Sequence, residues 1–243
     1  MRACQHETMR AVEDLHWWYA VLRLQVVRAL GQCLTHRAAA RVLDAGCGTG
    51  GMMQQLPAGW TSVGIDVSPV AVKLTQARGL QALLGSVHDL PFESASFDAV
   101  LSLDVLYHRA VQPEQAMAEM ARVLKPGGAL ILNLPAFAAL RGSHDRSVSG
   151  VRRYNACQVQ GLLARHNLEL TMIHYWNAWL LLPLLLRRFL SRIRKDKAAS
   201  DLFLPPPWLN RLLMNVGQLD AWVCREFPML VGSSVFAVAT RRP

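Results

Sequence analysis

The sequence predicts an α/β fold, a mostly parallel sheet covered by helices on both faces. Three observations lead there. Strand-like and helix-like segments alternate along the chain, the pattern of a sheet whose crossovers are helices. A glycine-rich turn, Gly46-Cys47-Gly48-Thr49-Gly50-Gly51, stands where the first strand passes into a helix. Apolar residues make up 52% of the 243 residues and charged residues only 18%, which fills one large core and excludes global disorder.

Taken in order, residues 7–34 read as one helix, with Leu22, Val26, Val27 and Leu30 at helical spacing. Arg41 to Asp44 is a first strand and Thr61 to Asp66 a second. Ser68-Pro69 opens a helix, serine as cap and proline at the first helical position. Gln81 to Gly85 and Phe97 to Leu103 are the third and fourth strands. Pro113 to Leu124 is an amphipathic helix stopped by Lys125-Pro126-Gly127-Gly128, and Ala129 to Leu134 is a fifth strand. A polar stretch over 135–155 is long for a compact domain, which marks it as functional or mobile. A helix over Tyr154 to His166, a strand over Leu168 to Tyr175, a helical insertion over 177–226 and a strand over Ser233 to Thr240 complete the chain. The length suits one domain: a helical cap (1–40), a core (41–176), an insertion (177–226) and a last strand (227–243).

Lys and Arg outnumber Asp and Glu by 26 to 17, a net charge of +9. Such a balance admits nucleic acid, anionic lipid or an anionic substrate, but no nucleic-acid module interleaves with the bases, so no nucleic-acid partner is expected. The cysteines Cys4, Cys33, Cys47, Cys157 and Cys224 are widely spaced and form no CxxC pair. That argues against a disulfide framework or a metal site. No apolar run follows the first residues, so a cytoplasmic protein without a signal peptide is expected. The longest apolar stretch, Ala178 to Leu186, is far short of the ~20 residues of a membrane span.

The chemistry concentrates in Val42-Leu43-Asp44-Ala45-Gly46-Cys47-Gly48-Thr49-Gly50. Glycines serve where backbone turns tightly and meets a ligand without a Cβ between them. Asp66 ends the next strand, where a carboxylate accepts both hydroxyls of a ribose. Gly46, Gly48 and Gly51 also satisfy the dinucleotide pattern GxGxxG, a weak signal alone. Asp44 separates the two cofactors. A carboxylate before the first glycine repels a pyrophosphate and suits a ligand carrying an ammonium and a sulfonium, which describes S-adenosylmethionine.

In order and spacing, these segments resemble class I S-adenosylmethionine-dependent methyltransferases. Val42 to Gly50 resembles their first motif and Gly64-Ile65-Asp66-Val67-Ser68 their second. Gly85-Ser86-Val87-His88-Asp89-Leu90-Pro91-Phe92 with Ser96-Phe97-Asp98-Ala99-Val100 resembles the adenine loop and fourth strand. Arg122-Val123-Leu124-Lys125-Pro126-Gly127-Gly128 resembles the stretch before the fifth. The resemblance implies a Rossmann-like, seven-stranded, mostly parallel sheet and a cofactor site made by Asp44, Gly46, Gly48, Gly50, Asp66, Val67, Ser86, Val87 and Leu103. Ser86 stands where the family carries an acid that receives the adenine amino group; its hydroxyl can accept that bond, and Asp89 nearby is the alternative. Glu13-Asp14-Leu15-His16-Trp17-Trp18-Tyr19 and Leu103-Asp104-Val105-Leu106-Tyr107-His108-Arg109 resemble a bacterial subgroup with ExxHWW and DVLYHR signatures, poorly assigned in substrate, whose members often resemble enzymes of lipid, polysaccharide and secondary metabolism.

Ligands of a doubly wound sheet bind at the carboxyl ends of its strands, which places Tyr107, His108, His144 and Asp145 within range of the transferable methyl. An oxygen nucleophile needs a base. His144, oriented by Asp145, is the first candidate and His108 the second; a polar turn and a packing residue are the alternatives. Arg23 pairs with the cofactor carboxylate or with Glu13 or Asp14. Arg152, Arg153 and Tyr154 bind an anionic substrate group or form a solvated turn.

In the insertion, Trp179 to Leu186 is followed by Arg187, Arg188, Arg192, Arg194, Lys195 and Lys197. Apolar side chains beside long bases suit a membrane interface or a lipid-binding lid, and a peripheral contact through 177–197 is expected. The expected reaction is methyl transfer to a small, lipid-like or aromatic acceptor, oxygen ahead of carbon. A nicotinamide-dependent oxidoreductase and a non-catalytic cofactor-binding module are the rivals.

Overall fold

A computed structural model describes residues 3–35, 37–141, 150–181, 204–227 and 230–243. Its seven strands are β1 (Arg41–Ala45), β2 (Thr61–Asp66), β3 (Gln81–Leu84), β4 (Phe97–Leu103), β5 (Leu124–Pro135), β6 (Leu168–Trp176) and β7 (Ser234–Arg241). They form one sheet in the order β3-β2-β1-β4-β5-β7-β6. All pairings are parallel except those of β7, which runs antiparallel to β5 and β6. The strand order reverses between β1 and β4, and the crevice beyond that point is where such sheets take ligands.

The helices are α1 (Ala3–Val12), α2 (Trp17–Cys33), α3 (Pro69–Gln76), α4 (Pro113–Val123), α5 (Ala156–Ala164) and α6 (Pro207–Glu226). Strand periodicity divides the core. Ala99 and Leu101 of β4 pack with Val42, Ile131 and Phe236 against Val21, Val26 and Leu30 of α2. Val100 points the other way, with Leu43, Leu130 and Leu132, toward Met117 and Met120 of α4 and Leu162 of α5. Asp98 ties the strand starts together: it accepts the Arg41 N–H (2.8 Å) and Lys125 Nζ (2.9 Å), and pairs with Arg37. Arg122 similarly holds the loop after β3, donating to the carbonyls of Leu90 (2.9 Å) and Phe92 (2.8 Å).

Two element boundaries differ markedly from expectation. The helix expected over 7–34 is two helices, α1 and α2, parted at 13–16. His16 turns out of the helix to cap α2, its Nδ1 accepting the Trp18 N–H at 3.2 Å, while Glu13 is drawn to partners distant in sequence. β5 starts at Leu124 rather than Ala129, because Lys125 to Gly128 bend into the sheet beside Phe97 across an irregular register. Within the insertion, α6 lies along α2, and Gly217 permits the approach, since a Cβ there would stand 3.0 Å from Val21. Asn210 pins its start, accepting the Trp17 N–H (2.9 Å) and donating to Leu15 O (2.8 Å). Asp220 accepts the N–H groups of Asn177 (2.6 Å) and Ala178 (3.0 Å) as the chain leaves β6. Residues 182–203, with most of the apolar run and all the bases after it, lie outside the described residues. Among the described residues no helix is long and apolar enough to cross a membrane.

Candidate active site

The turn after β1 is glycine for a conformational reason. Gly46, Gly48 and Gly50 have φ of +96°, +56° and +80°, a region other residues enter at a cost. The N–H groups of Gly46 (2.8 Å) and Cys47 (3.1 Å) both donate to Ile65 O, which locks the turn to the end of β2. There Asp66 accepts the Gly48 N–H (3.0 Å) and the Ser68 N–H (2.8 Å), one on each oxygen. Each carboxylate oxygen keeps a further lone pair for a ligand. Val67, beside it, is exposed and Val87 is buried.

The cleft is acidic. Asp44 is buried, and its carboxyl is pushed up to about 7, first by burial, then by the charges of Asp66 and Glu13. Glu13 is buried too, bonded to the Thr49 hydroxyl and ion-paired with Arg78. The Arg78 side chain is 1% exposed, and its guanidinium donates to Thr49 O (2.7 Å) and pairs with Asp14 (3.0 Å). This latch holds the end of α1 onto the glycine loop, and a Cβ at Gly51 would stand 2.5 Å from the Glu13 carboxylate. Arg23 reaches the same segment, donating to the carbonyls of Glu13 (2.8 Å) and Asp14 (3.2 Å). Its guanidinium therefore braces the break between α1 and α2. Glu13, Arg78 and Thr49 had no sequence signal as a set, because Arg78 lies 65 residues from Glu13.

Ser86 differs from expectation in its hydrogen-bonding sense. The Gln112 N–H donates to His88 Nε2 (2.8 Å), so a neutral His88 carries its proton on Nδ1. That proton is directed at Ser86 Oγ (3.0 Å), which also accepts the His88 N–H (3.2 Å). With both lone pairs engaged, Ser86 offers a donor, not the acceptor that an adenine amino group requires.

On the far side of the crevice, β4 ends at Leu103, partly buried against the α2 face. Asp104 follows with φ +55°, a left-handed conformation uncommon outside glycine and asparagine and associated with functional sites. Asn133 Nδ2 donates to its carboxylate (3.0 Å), and Asn133 Oδ1 is held by the Trp176 indole N–H (2.9 Å). Burial pushes the Asp104 carboxyl up to about 7, against the Asn133 bond and the charge of Arg153. Sequence reasoning passed over Asp104; the signal available was a lone acid ending an apolar strand. Tyr19 stands between the two halves: burial raises its phenol strongly, and the charges of Glu13 and Asp104 add to the effect.

The expected catalytic residues divide. Tyr107 and His108 lie just beyond Asp104, their rings 4.2 Å apart. Tyr107 is buried, and residues 150–154 run over both. The Val151 N–H donates to Tyr107 O (2.9 Å), His108 bridges to Gly150, and the Tyr154 hydroxyl donates to Leu106 O (2.9 Å). Arg152 donates to the carbonyls of His108 and Val111 (2.9 Å each) and Arg153 to that of Ala136 (2.9 Å). Both arginines thus clamp this segment. His144 and Asp145 lie outside the described residues, in the stretch between Arg141 and Gly150.

A crevice at the switch point, a backbone turn against the end of β2, and the acids Asp44, Asp66 and Glu13 around it fit a cofactor that brings positive charge. They do not fit a pyrophosphate. Residues 43–132 match the family model described as a methyltransferase domain. Residues 43–132 thus carry a methyltransferase domain, and the site around them fits S-adenosylmethionine. It is 41% identical over 112 residues to a malonyl-[acyl-carrier protein] O-methyltransferase of Herminiimonas arsenicoxydans, covering 45% of this chain and 42% of that one. It is 30% identical over 198 residues to a 24-methylenesterol C-methyltransferase 2 of Oryza sativa subsp. japonica, covering 75% and 48%. The chain therefore spans less than half the length of either relative. Among solved structures, a geranyl diphosphate methyltransferase in complex with S-adenosylmethionine superposes with a TM-score of 0.59 at 17% identity, over 90% of this chain and 85% of that one. That likeness is one of fold.

Proposed function

We propose that this chain transfers the methyl group of S-adenosylmethionine to the oxygen of an apolar, lipid-like or aromatic small molecule. The observation that carries the choice of oxygen is Asp104, a carboxyl pushed up to about 7 at the carboxyl end of β4. A base is most effective when its pKa lies near the working pH. The relatives support the acceptor class: one is named for a sterol, another for geranyl diphosphate, and one for O-methylation.

When bound, S-adenosylmethionine supplies a methyl group already activated on a sulfonium. Asp44 and the loop Gly46–Gly50 hold its amino-acid end, and Asp66 takes the ribose hydroxyls. Leu103 and Val87 line the crevice, and Ser86 donates toward the adenine. The chain's remaining task is to hold the acceptor in line and remove its proton. Asp104, fixed by Asn133 and Trp176, would take that proton from the acceptor oxygen. Tyr107 and His108 flank it, and His144 with Asp145 is the second candidate base. The test is a pH–rate profile with a hydroxylated lipid acceptor. Asp104→Asn should lower turnover by ~10²–10⁴-fold and remove the inflection near neutral pH. Loss of turnover in His144→Ala, with Asp104→Asn unimpaired, would transfer the role to His144.

A second element of the proposal is a peripheral contact with anionic membrane through 177–197 and the exposed face of α6. It is favoured by the exposure of Trp208, Leu212, Leu219 and Trp222 on that helix.

A further inference from the structure

His6 is buried, 4% exposed, and neither ring nitrogen has a hydrogen-bond partner among the described residues. A buried polar group left unpaired is rare enough to need an explanation. Its position supplies one. His6, Met9 and Glu13 fall at i, i+3 and i+7, one stripe along α1 and its last turn. That stripe lies along the glycine loop. Met9 Cε stands 2.7 Å from where a Cβ on Gly48 would be, and Glu13 bonds Thr49. At the other end of the stripe His6 feels the charge of Asp66, which opposes the lowering of its pKa by burial. Met9 lies against Gly48, whose N–H Asp66 accepts, so the stripe puts the ring on the Asp66 side of the glycine loop, held there by the latch of Glu13, Asp14 and Arg78 at the far end of α1.

We propose that His6 is a cofactor contact, presented by α1 where it lies over the crevice, and that one of its free ring nitrogens, as N–H, donates to a ribose hydroxyl whose own proton Asp66 accepts. A neutral imidazole has one N–H donor, and a hydroxyl that gives its proton to a carboxylate keeps lone pairs to accept it. The partners absent from the cofactor-free chain are those the ribose brings. This rests on S-adenosylmethionine being the cofactor, and the experiment separates the two statements.

Calorimetric titration with S-adenosylhomocysteine, and with its analogue lacking both ribose hydroxyls, is run on the full chain and on His6→Phe and His6→Gln. Thermal unfolding without cofactor is measured alongside. His6→Phe should unfold no lower than the unaltered chain, because it removes an unpaired polar group from a buried site. It should nonetheless bind S-adenosylhomocysteine about tenfold more weakly. His6→Gln should recover part of that affinity, and the analogue should not distinguish the three proteins. Equal affinity of the unaltered chain and His6→Phe overturns the contact. Equal weakening toward both ligands overturns its assignment to the ribose. An unaltered chain that binds no S-adenosylhomocysteine overturns the cofactor and the contact together.

Discussion

Asp44 is an acid placed among acids, and its energetics follow from that. Burial and the charges of Asp66 and Glu13 lift its carboxyl to about 7. A carboxyl raised on folding stabilises the fold below its unfolded pKa and loses that contribution as the pH rises through the folded value. Asp104 behaves in the same way. The cofactor-free protein should therefore lose stability between about pH 4 and 7, and a thermal unfolding series across that range checks it. A bound ammonium and sulfonium reverse the sign, because they favour the ionised acid. Affinity for S-adenosylmethionine should fall by up to about tenfold per pH unit below 7, with a proton released on binding. Titration in two buffers of different ionisation enthalpy reads that proton directly. An affinity flat from pH 5 to 8 would remove Asp44 from the cation site.

At the scale of elements, what was legible in the sequence was what short-range chemistry controls. Ser68 and Pro69 open α3 as serine and proline do at a helix start, the Ala71 N–H meeting Ser68 Oγ at 3.4 Å. The glycine loop lay open to reading because positive φ leaves few choices of residue. The break between α1 and α2 was not legible. Leu22, Val26 and Leu30 keep their helical period through α2, but nothing near Glu13 announces Arg78. The left-handed Asp104, its bond to Asn133 and the free nitrogens of His6 also depend on residues that meet only in the fold. The latch yields a test at this scale. Arg78→Met leaves Glu13 buried without its cation, a situation that costs about 3–5 kcal/mol where both partners are buried. α1 should come away from the loop, so limited proteolysis should cut before Trp17 far faster than in the unaltered chain. Adding Glu13→Gln should restore part of the protection, since the unpaired charge is then gone. Unchanged cleavage in Arg78→Met would show that α1 is held by packing alone.

For the whole molecule, the question is what covers the outer face of α6. Trp208, Leu212, Leu219 and Trp222 are 70%, 52%, 60% and 48% exposed. Their spacing puts them within one quarter of the helix circumference, and Leu24 of α2 adds 51% exposure nearby. Arg211 borders the stripe, the sequence places Arg187, Arg188, Arg192, Arg194, Lys195 and Lys197 before it, and the chain carries +9 overall. An apolar stripe beside bases matches an anionic lipid surface, where tryptophan and leucine enter the headgroup boundary and each base contributes about 1 kcal/mol. The same surface would present a lipid-like acceptor to the crevice from the side on which α6 begins, since Asn210 fixes that end to the start of α2. The protein is therefore expected to float with vesicles containing phosphatidylserine at low salt and to be partly released at high salt, as screening removes the electrostatic share. Trp208→Gln with Trp222→Gln should weaken flotation at both salt concentrations, because it removes the apolar share. Loss of α6 packing would be visible as a lowered unfolding temperature, which these exposed positions should leave within a degree or two. Phosphatidylcholine vesicles should bind little. If the chain stays with the soluble fraction at every salt concentration and its solution mass is twice 27.0 kDa, the stripe is covered by a second copy. The two tryptophan substitutions should then return it to a monomer.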